Sequence, residues 1–251
     1  MFLVCFYYAK VVDLLLGNFN LIIIMKKTTF LLAIFIAFQT LTFAQYTAIP
    51  DVNFETELVS LGIDSEGTVD GQILTADAEA RTSFVDLSNL GISNMAGIEA
   101  FINLTSLKAS GNPFTTINLS SNVALIDLNL SASALTGLNV DNNTNLEGIN
   151  VSYSSGITSL NLSNNVLLEI INTEECNNLS SIDLTGLTTL LDVNLYDNDL
   201  SSLDIALNTG LQRLVVRQNQ LTTLDLSPFT SLTEVNVRDN GMTSLDMRNG
   251  N

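Results

Sequence analysis

Leucine and other apolar residues recur through most of this chain with a period of 21 or 22 residues, and this period limits the chain to a repeating fold. A degenerate first unit begins at Thr82. The seven regular units begin at Leu104, Leu125, Leu146, Leu168, Leu190, Leu211 and Leu232. A unit of this length cannot bury its own apolar side chains, so neighbouring units must stack against each other. The sequence therefore predicts a solenoid over residues 82–251.

Each unit has the same internal pattern. Its first, fourth and sixth positions are apolar, as in Leu125, Leu128 and Leu130, and a second apolar triplet follows later in the unit. This spacing predicts two short extended segments in each unit. The ninth position is small and polar, and we expect its side chain to bond backbone groups that would otherwise be buried without partners. The ninth positions are Asn112, Ser133, Ser154, Cys176, Asn198, Asn219 and Asn240.

The pattern L-x-x-L-x-L-x-x-N/C-x-L resembles that of leucine-rich repeats, in the short-repeat form of secreted and surface bacterial proteins. The resemblance implies an α/β solenoid of about eight units, mostly strand and loop, with a parallel sheet on its concave face. It also implies that Cys176 has a structural role, because this cysteine occupies the ninth position of its unit. The last repeat stops near Met247 without a C-terminal cap, so we expect a truncated chain or a partner that covers this end.

The stretch before the repeats, residues 45–81, lacks the leucine period and resembles the helical N-terminal cap of internalin-like proteins. Asp51 is expected to cap a helix that carries Phe54, Leu58 and Leu61 at i, i+4 and i+7 and that ends at Gly62. A second short helix is expected from Thr75 to Arg81. The acidic loop between them, residues 64–71, lacks the spacing of an EF-hand, so an ordinary turn is favoured over a calcium site.

The first 44 residues are expected to be absent from the mature protein. Two lysines, nine apolar residues and a small-residue site ending at Ala44 give Met25–Ala44 the layout of a secretory signal peptide. Residues 1–24, which include Cys5, are interpreted as a mis-assigned start or an upstream extension. The alternative is an uncleaved membrane anchor. Export predicts a secreted or cell-surface location.

Charge and composition exclude several classes of function. Residues 45–251 contain six basic and 25 acidic residues, a net charge of −19. Such a chain is repelled by nucleic acid and by anionic lipid surfaces. The sequence contains no histidine, the most common general base and a frequent metal ligand. We therefore predict a protein that is not an enzyme and has no cofactor.

Water-facing positions on the concave side are the candidates for binding, because the apolar positions are occupied by packing. The fifth positions form a row rich in asparagine, interpreted either as a hydrogen-bonded ladder or as a polar platform for a ligand. The seventh and eighth positions vary most, and tyrosine and arginine often anchor interfaces. The predicted binding residues are Tyr153, Asn172, Glu174, Glu175, Asn194, Tyr196, Asp197, Arg213, Arg217 and Arg238. Alternatively, some of these form pairs across strands, such as Arg217 with Asp197 or Asp239.

A second row follows from the later triplet. Its last four members are aspartates, which would repel each other across neighbouring strands. Either they are solvated or a cation such as calcium lies between them, and no metal site is assigned. These calcium candidates are Asp183, Asp204, Asp225 and Asp246.

The sequence as a whole predicts a non-catalytic binding module that recognises a protein through its concave face. Resemblance to internalin-like proteins implies adhesion or surface contact. A glycan-binding module and a structural spacer within a larger surface protein are the alternatives.

Overall fold

The computed structural model describes residues 44–248. The predicted signal peptide and upstream extension, residues 1–44, lie outside the described residues except for Ala44. From Gln45 onward, the described residues form one compact unit. None of the helices within the described range is long and apolar enough to cross a bilayer.

The N-terminal segment contains two helices and a small sheet. Helix α1 (Val52–Ser60) begins after Asp51, as predicted, and helix α2 (Thr75–Ala80) follows the acidic loop. Strand β1 (Tyr46–Ala48) pairs antiparallel with β2 (Gln72–Leu74), a pairing that the sequence did not reveal.

Helix α1 ends one residue before Leu61, which was expected to belong to it. Leu61 lies just after the helix, at its C-cap, and is 43% exposed. The third buried residue of α1 is instead Glu55, whose side-chain oxygen accepts hydrogen bonds from the backbone N–H groups of residues 70, 71 and 72 at 2.7–3.0 Å. The buried carboxylate therefore organises the loop that precedes β2.

Asp51 joins this segment to the first coil. Its Oδ1 caps α1 by accepting from the N–H groups of Asn53 and Phe54. Its Oδ2 accepts from the N–H and hydroxyl of Ser93 and from the N–H of Asn94, at 2.8–3.1 Å. Burial alone would raise the pKa of Asp51, but these hydrogen bonds outweigh it and lower the pKa below 3.8.

The main sheet confirms the predicted parallel solenoid. Each unit contributes a three-residue strand from its third to fifth positions, and successive strands pair in parallel with no shift in register. The eight strands, in order across the sheet, are β3 (Phe84–Asp86), β4 (Ser106–Lys108), β5 (Asp127–Asn129), β6 (Gly148–Asn150), β8 (Ile170–Asn172), β10 (Asp192–Asn194), β11 (Arg213–Val215) and β13 (Glu234–Asn236).

The second extended segment of the units is less regular than predicted. It forms strands in four of the described units, which pair as two separate two-stranded sheets. These strands are β7 (Ser159–Asn161), which pairs with β9 (Ser181–Asp183), and β12 (Thr223–Asp225), which pairs with β14 (Ser244–Asp246). The apolar side chains of both triplets pack into one core along the solenoid.

The ninth-position asparagines and Cys176 bond the backbone as predicted, whereas the Ser133 hydroxyl bonds the hydroxyl of Ser154 at 3.0 Å. In Asn219 the amide nitrogen donates to the carbonyl of Leu195 in the preceding unit at 2.8 Å, and the amide oxygen accepts from the N–H of Leu200 at 3.0 Å. The Cys176 thiol makes the equivalent bond to the carbonyl of Val151 at 3.1 Å. Cys176 is fully buried, which raises the pKa of its thiol and confirms a structural role.

A second asparagine ladder was missed from the sequence. It lies near the end of each unit, where the buried amide of Asn143, for example, donates to the carbonyls of Leu119 and Asn122 at 3.0 and 2.9 Å. The ladder is interrupted where Leu187 and Phe229 occupy the same place. Its members are Asn122, Asn143, Asn165 and Asn208.

Candidate functional site

The outer face of the eight-stranded sheet carries three rows of side chains. Because side chains alternate across a strand, the fourth position of each unit faces the core while the third and fifth face outward. The seventh position lies just beyond the end of the strand. This concave surface is the candidate site.

The fifth-position asparagines bond mainly to their own turns rather than across strands. Asn150 accepts from the N–H of Ser152 at 3.0 Å, and Asn172 accepts from the N–H of Glu174 at 3.0 Å. Asn194 does the same with Tyr196, and its amide nitrogen also donates to Glu174 at 3.0 Å. Such Asx turns explain why asparagine recurs here, because each side chain closes the turn that ends a strand.

The eighth position of every described unit from Thr82 onward has a left-handed backbone. The φ angles range from 52° to 68°, a conformation that favours glycine, yet only one of these residues is glycine. The residues are Asn89, Gly111, Ala132, Tyr153, Glu175, Asp197, Gln218 and Asp239. The residue type at the eighth position therefore varies from unit to unit, which suggested a binding surface, while the backbone conformation there stays the same.

A trough occupies the N-terminal half of the concave face. The exposed side chains of Phe84 and Ile170 stand at its two ends, 39% and 51% exposed. Between them, Ser106, Asp127 and Gly148 occupy the third positions of the intervening strands. The cavity has a volume of ≈ 600 Å³. Sequence reasoning missed Phe84 and Ile170 because it examined the fifth, seventh and eighth positions and, apart from Arg213, not the third.

The C-terminal half of the face is charged, and its charges pair with each other. Arg213 contacts Asp192 at 2.9 Å and Glu234 at 3.2 Å, across three adjacent strands. Arg217 contacts Asp239 at 2.8 Å, which is one of the cross-strand pairs considered from the sequence.

Aromatic and cationic side chains stack in this half as well. The Arg217 guanidinium lies 5.5 Å from the centre of the Tyr196 ring. Among the ion pairs of residues 44–248, none includes Arg238.

Tyr153 and its neighbours form the margin between the two halves. The Tyr153 ring is half exposed, and its hydroxyl donates to Glu174 at 3.3 Å. The negative charge of Glu174, with that of Glu175 beside it, raises the pKa of the Tyr153 hydroxyl. These predicted residues therefore lie together on one edge of the concave surface.

The aspartates of the second row, like the asparagines, close turns. Asp183, Asp204 and Asp225 each accept from the N–H two residues further on, at 2.8–3.1 Å. Asp246 bonds the backbone and side chain of Arg248, which lowers the pKa of Asp246 to about 2. In the described part of the chain, no three acidic or cysteine side chains group in a way that could hold a metal ion.

The repeat length, the parallel concave sheet and the side-chain ladders define a leucine-rich-repeat protein. No protein-family model matches the chain, and neither does any curated protein. Among solved structures, the chain is similar to the functional domain of InlJ from Listeria monocytogenes, which is described as including a cysteine ladder. The sequence identity is 27% and the TM-score 0.63, over 82% of this chain and 50% of that one.

The chain is also similar to the internalin InlF of the same species, at 21% identity and a TM-score of 0.53, over 79% of this chain and 69% of that one. This second likeness supports the fold alone. The chain spans half the length of the InlJ chain that it matches. The fold is therefore a leucine-rich-repeat solenoid similar to that of the internalins.

Proposed function

We propose that this chain is a secreted or cell-surface binding module without catalytic activity, and that its concave face recognises a partner protein. The observation that carries the proposal is the pair of exposed apolar side chains, Phe84 and Ile170, at the ends of the trough. Apolar side chains that face water around a depression are typical of protein contact sites.

The predicted contact residues fit this proposal to different degrees. Tyr153 is half exposed at the edge of the surface, and Tyr196 stacks with Arg217. Arg213 and Arg217 already bond carboxylates within the protein, so a partner that used them would have to compete with those pairs. We therefore assign the main contact energy to the trough and treat the tyrosine and arginine region as its flank.

Export and the lack of catalysis rest on the sequence. Met25–Ala44 has the layout of a secretory signal, and the sequence contains no histidine. The concave asparagines close turns, and several of the acidic side chains form ion pairs. Such an arrangement supports binding more than proton transfer.

A cross-linking capture from cell-surface protein extracts tests the proposal. The protein is compared with a Phe84→Ser, Ile170→Ser double variant and with a matched control, Leu207→Ser, which removes an apolar side chain that is 61% exposed outside the main sheet. We expect one partner to be captured by the protein and by the control, and to be lost with the double variant.

Three other outcomes would redirect the assignment. A partner that the double variant retains would contradict recognition through the concave face. A capture that is lost after enzymatic removal of glycans from the extract would favour the glycan-binding alternative. Failure of all three proteins to capture a partner would favour a structural spacer.

A further inference from the structure

The shape of the trough is set by which third positions carry large side chains. Phe84 and Ile170 are four strands apart, or about 19 Å at the usual strand spacing. Between them the third positions are short, with a serine and a glycine on either side of Asp127. The trough is therefore wide enough for one segment of a partner chain, with an apolar contact at each end.

Gly148 keeps the middle of the trough open. Its φ lies outside the left-handed region, so the backbone does not require glycine there. A Cβ at this position would approach the Asp127 carboxylate at 3.0 Å, and a longer side chain would project from the floor. The absence of a side chain at Gly148 therefore keeps the trough deep, and the backbone conformation of the strand does not require it.

One acidic and one basic side chain, Asp127 and Lys108, line the trough, and further carboxylates stand at outward positions nearby. Asp86, Asp127 and Glu174 belong to the outward rows of its strands and turns, and none of them forms an ion pair within residues 44–248. Lys108 is the cation of these rows, and its ammonium lies 5.0 Å from the centre of the Phe84 ring. In the other half of the face, by contrast, Arg213 bridges two carboxylates.

We propose that the partner occupies the trough with a segment in which apolar side chains are flanked by lysine or arginine. This inference rests on the proposed function and specifies the chemistry of its partner. The apolar side chains contact Phe84 and Ile170, and a basic side chain meets Asp127 between them. The net charge of −19 on residues 45–251 favours the approach of a basic segment and repels an acidic one.

Synthetic peptides test this chemistry directly. One 12-residue peptide combines leucine and lysine, a second replaces each lysine with glutamate, and a third keeps the lysines but replaces each leucine with serine. Binding to the full protein is followed by fluorescence anisotropy at two salt concentrations. We expect the leucine-lysine peptide to bind at least tenfold more tightly than either of the others.

Variants of the trough separate specific binding from general attraction to an acidic protein. Gly148→Leu fills the floor, and the Phe84→Ser, Ile170→Ser double variant removes the apolar ends. Each is expected to weaken binding of the leucine-lysine peptide about tenfold, while Leu207→Ser leaves it unchanged. Asp127→Asn is expected to weaken binding several-fold and to reduce its dependence on salt. Thermal unfolding of each variant establishes that it is folded.

The outcomes distinguish this inference from the function on which it rests. If the leucine-glutamate peptide binds more tightly and responds to Gly148→Leu, the basic partner is excluded, although concave-face recognition stands. If the leucine-lysine peptide binds equally to every variant, the attraction is non-specific and the inference is overturned. In that case the capture experiment still decides independently whether the concave face binds a protein.

Discussion

The thiol of Cys176 donates to the carbonyl of Val151 at 3.1 Å, the bond that an asparagine amide makes at the same place in other coils. The replacement is incomplete, because a thiol lacks the carbonyl oxygen of an asparagine amide. Nearby, the N–H of Asn178 donates to the backbone carbonyl of Cys176. The amide oxygen of Asn198 in the next coil is buried without a partner, whereas that of Asn219 accepts from the N–H of Leu200.

Replacement of Cys176 measures how much its hydrogen bond to Val151 contributes to the free energy of unfolding. Cys176→Ala leaves the carbonyl of Val151 buried without a donor and is expected to reduce the free energy of unfolding by about 1–3 kcal/mol. Cys176→Asn restores an amide donor and is expected to reduce it less. Urea unfolding compares the two. Equal losses would show that the hydrogen bond contributes little.

The thiol itself is expected to react slowly in the folded protein. Burial raises the pKa of Cys176, and the thiolate is the reactive form. We expect alkylation by iodoacetamide to follow global unfolding, measured by mass spectrometry across a urea series. Rapid labelling without denaturant would contradict the buried position.

The left-handed turn at the eighth position predicts a stabilising substitution. Ala132 is exposed and has a φ of 52°, so glycine there relieves backbone strain and removes little packing. Ala132→Gly is expected to raise the free energy of unfolding by about 0.5–1 kcal/mol. Ala134→Gly, two residues further on and without a positive φ, is the control and is expected not to stabilise. A gain in both would refute the role of the turn.

Asp51 predicts a loss of stability in acid. Its pKa is lower in the folded protein than in the unfolded chain, so its contribution is complete above the ordinary aspartate pKa and disappears as the pH falls through the folded value. Asp51→Asn is expected to destabilise the protein by about 1–3 kcal/mol at pH 7. The gap between the two proteins should narrow below pH 3.8. Chemical denaturation from pH 7 to pH 2 gives both curves, and a constant gap would exclude the ionised carboxylate as the cause.

The second asparagine ladder, near the end of each unit, predicts that removing one of its buried amides destabilises the protein. The Asn165 amide donates to the carbonyls of Val140 and Asn143 at 3.0 and 2.8 Å. Asn165→Leu leaves both carbonyls without this donor and is expected to cost about 1–3 kcal/mol in unfolding free energy. The exposed neighbour provides the control, since Asn164→Leu is expected to change stability by less than about 0.5 kcal/mol. If Asn165→Leu changes stability as little as Asn164→Leu does, apolar packing of the kind seen at Leu187 is sufficient at this position and the hydrogen bonds are not needed.

The aspartate row predicts indifference to calcium. Asp225 accepts from the N–H of Ser227 at 2.8 Å and lies directly across from Asp246. Asp225→Asn keeps an oxygen for that turn and removes the repulsion, so we expect an unchanged or higher unfolding temperature. Asp225→Ala, which loses the acceptor, should lower it. Scanning calorimetry with calcium and with a chelator completes the test: a calcium-dependent rise that is absent in Asp225→Asn would restore the metal hypothesis.

The sequence by itself determined the solenoid, its period and its parallel sheet, because apolar residues repeated at one spacing can be buried only by stacking like units. It also identified the ladder role of the ninth position, since a small polar side chain recurred there among core residues. The start of the helix after Asp51 was predictable from its cap. The exposure of Leu61 was not, because it depends on where the helix ends.

Only the tertiary structure decided which outward side chains meet. Arg213 pairs with Asp192 and Glu234 because the strands align without a shift in register, and Phe84 and Ile170 face one trough because they occupy the same position four coils apart. The left-handed turn at Ala132 had no local signal, since the closed geometry of the coil imposes it regardless of residue type. A period along the chain fixes packing inside the coils, but the chemistry of the surface arises from contacts between them.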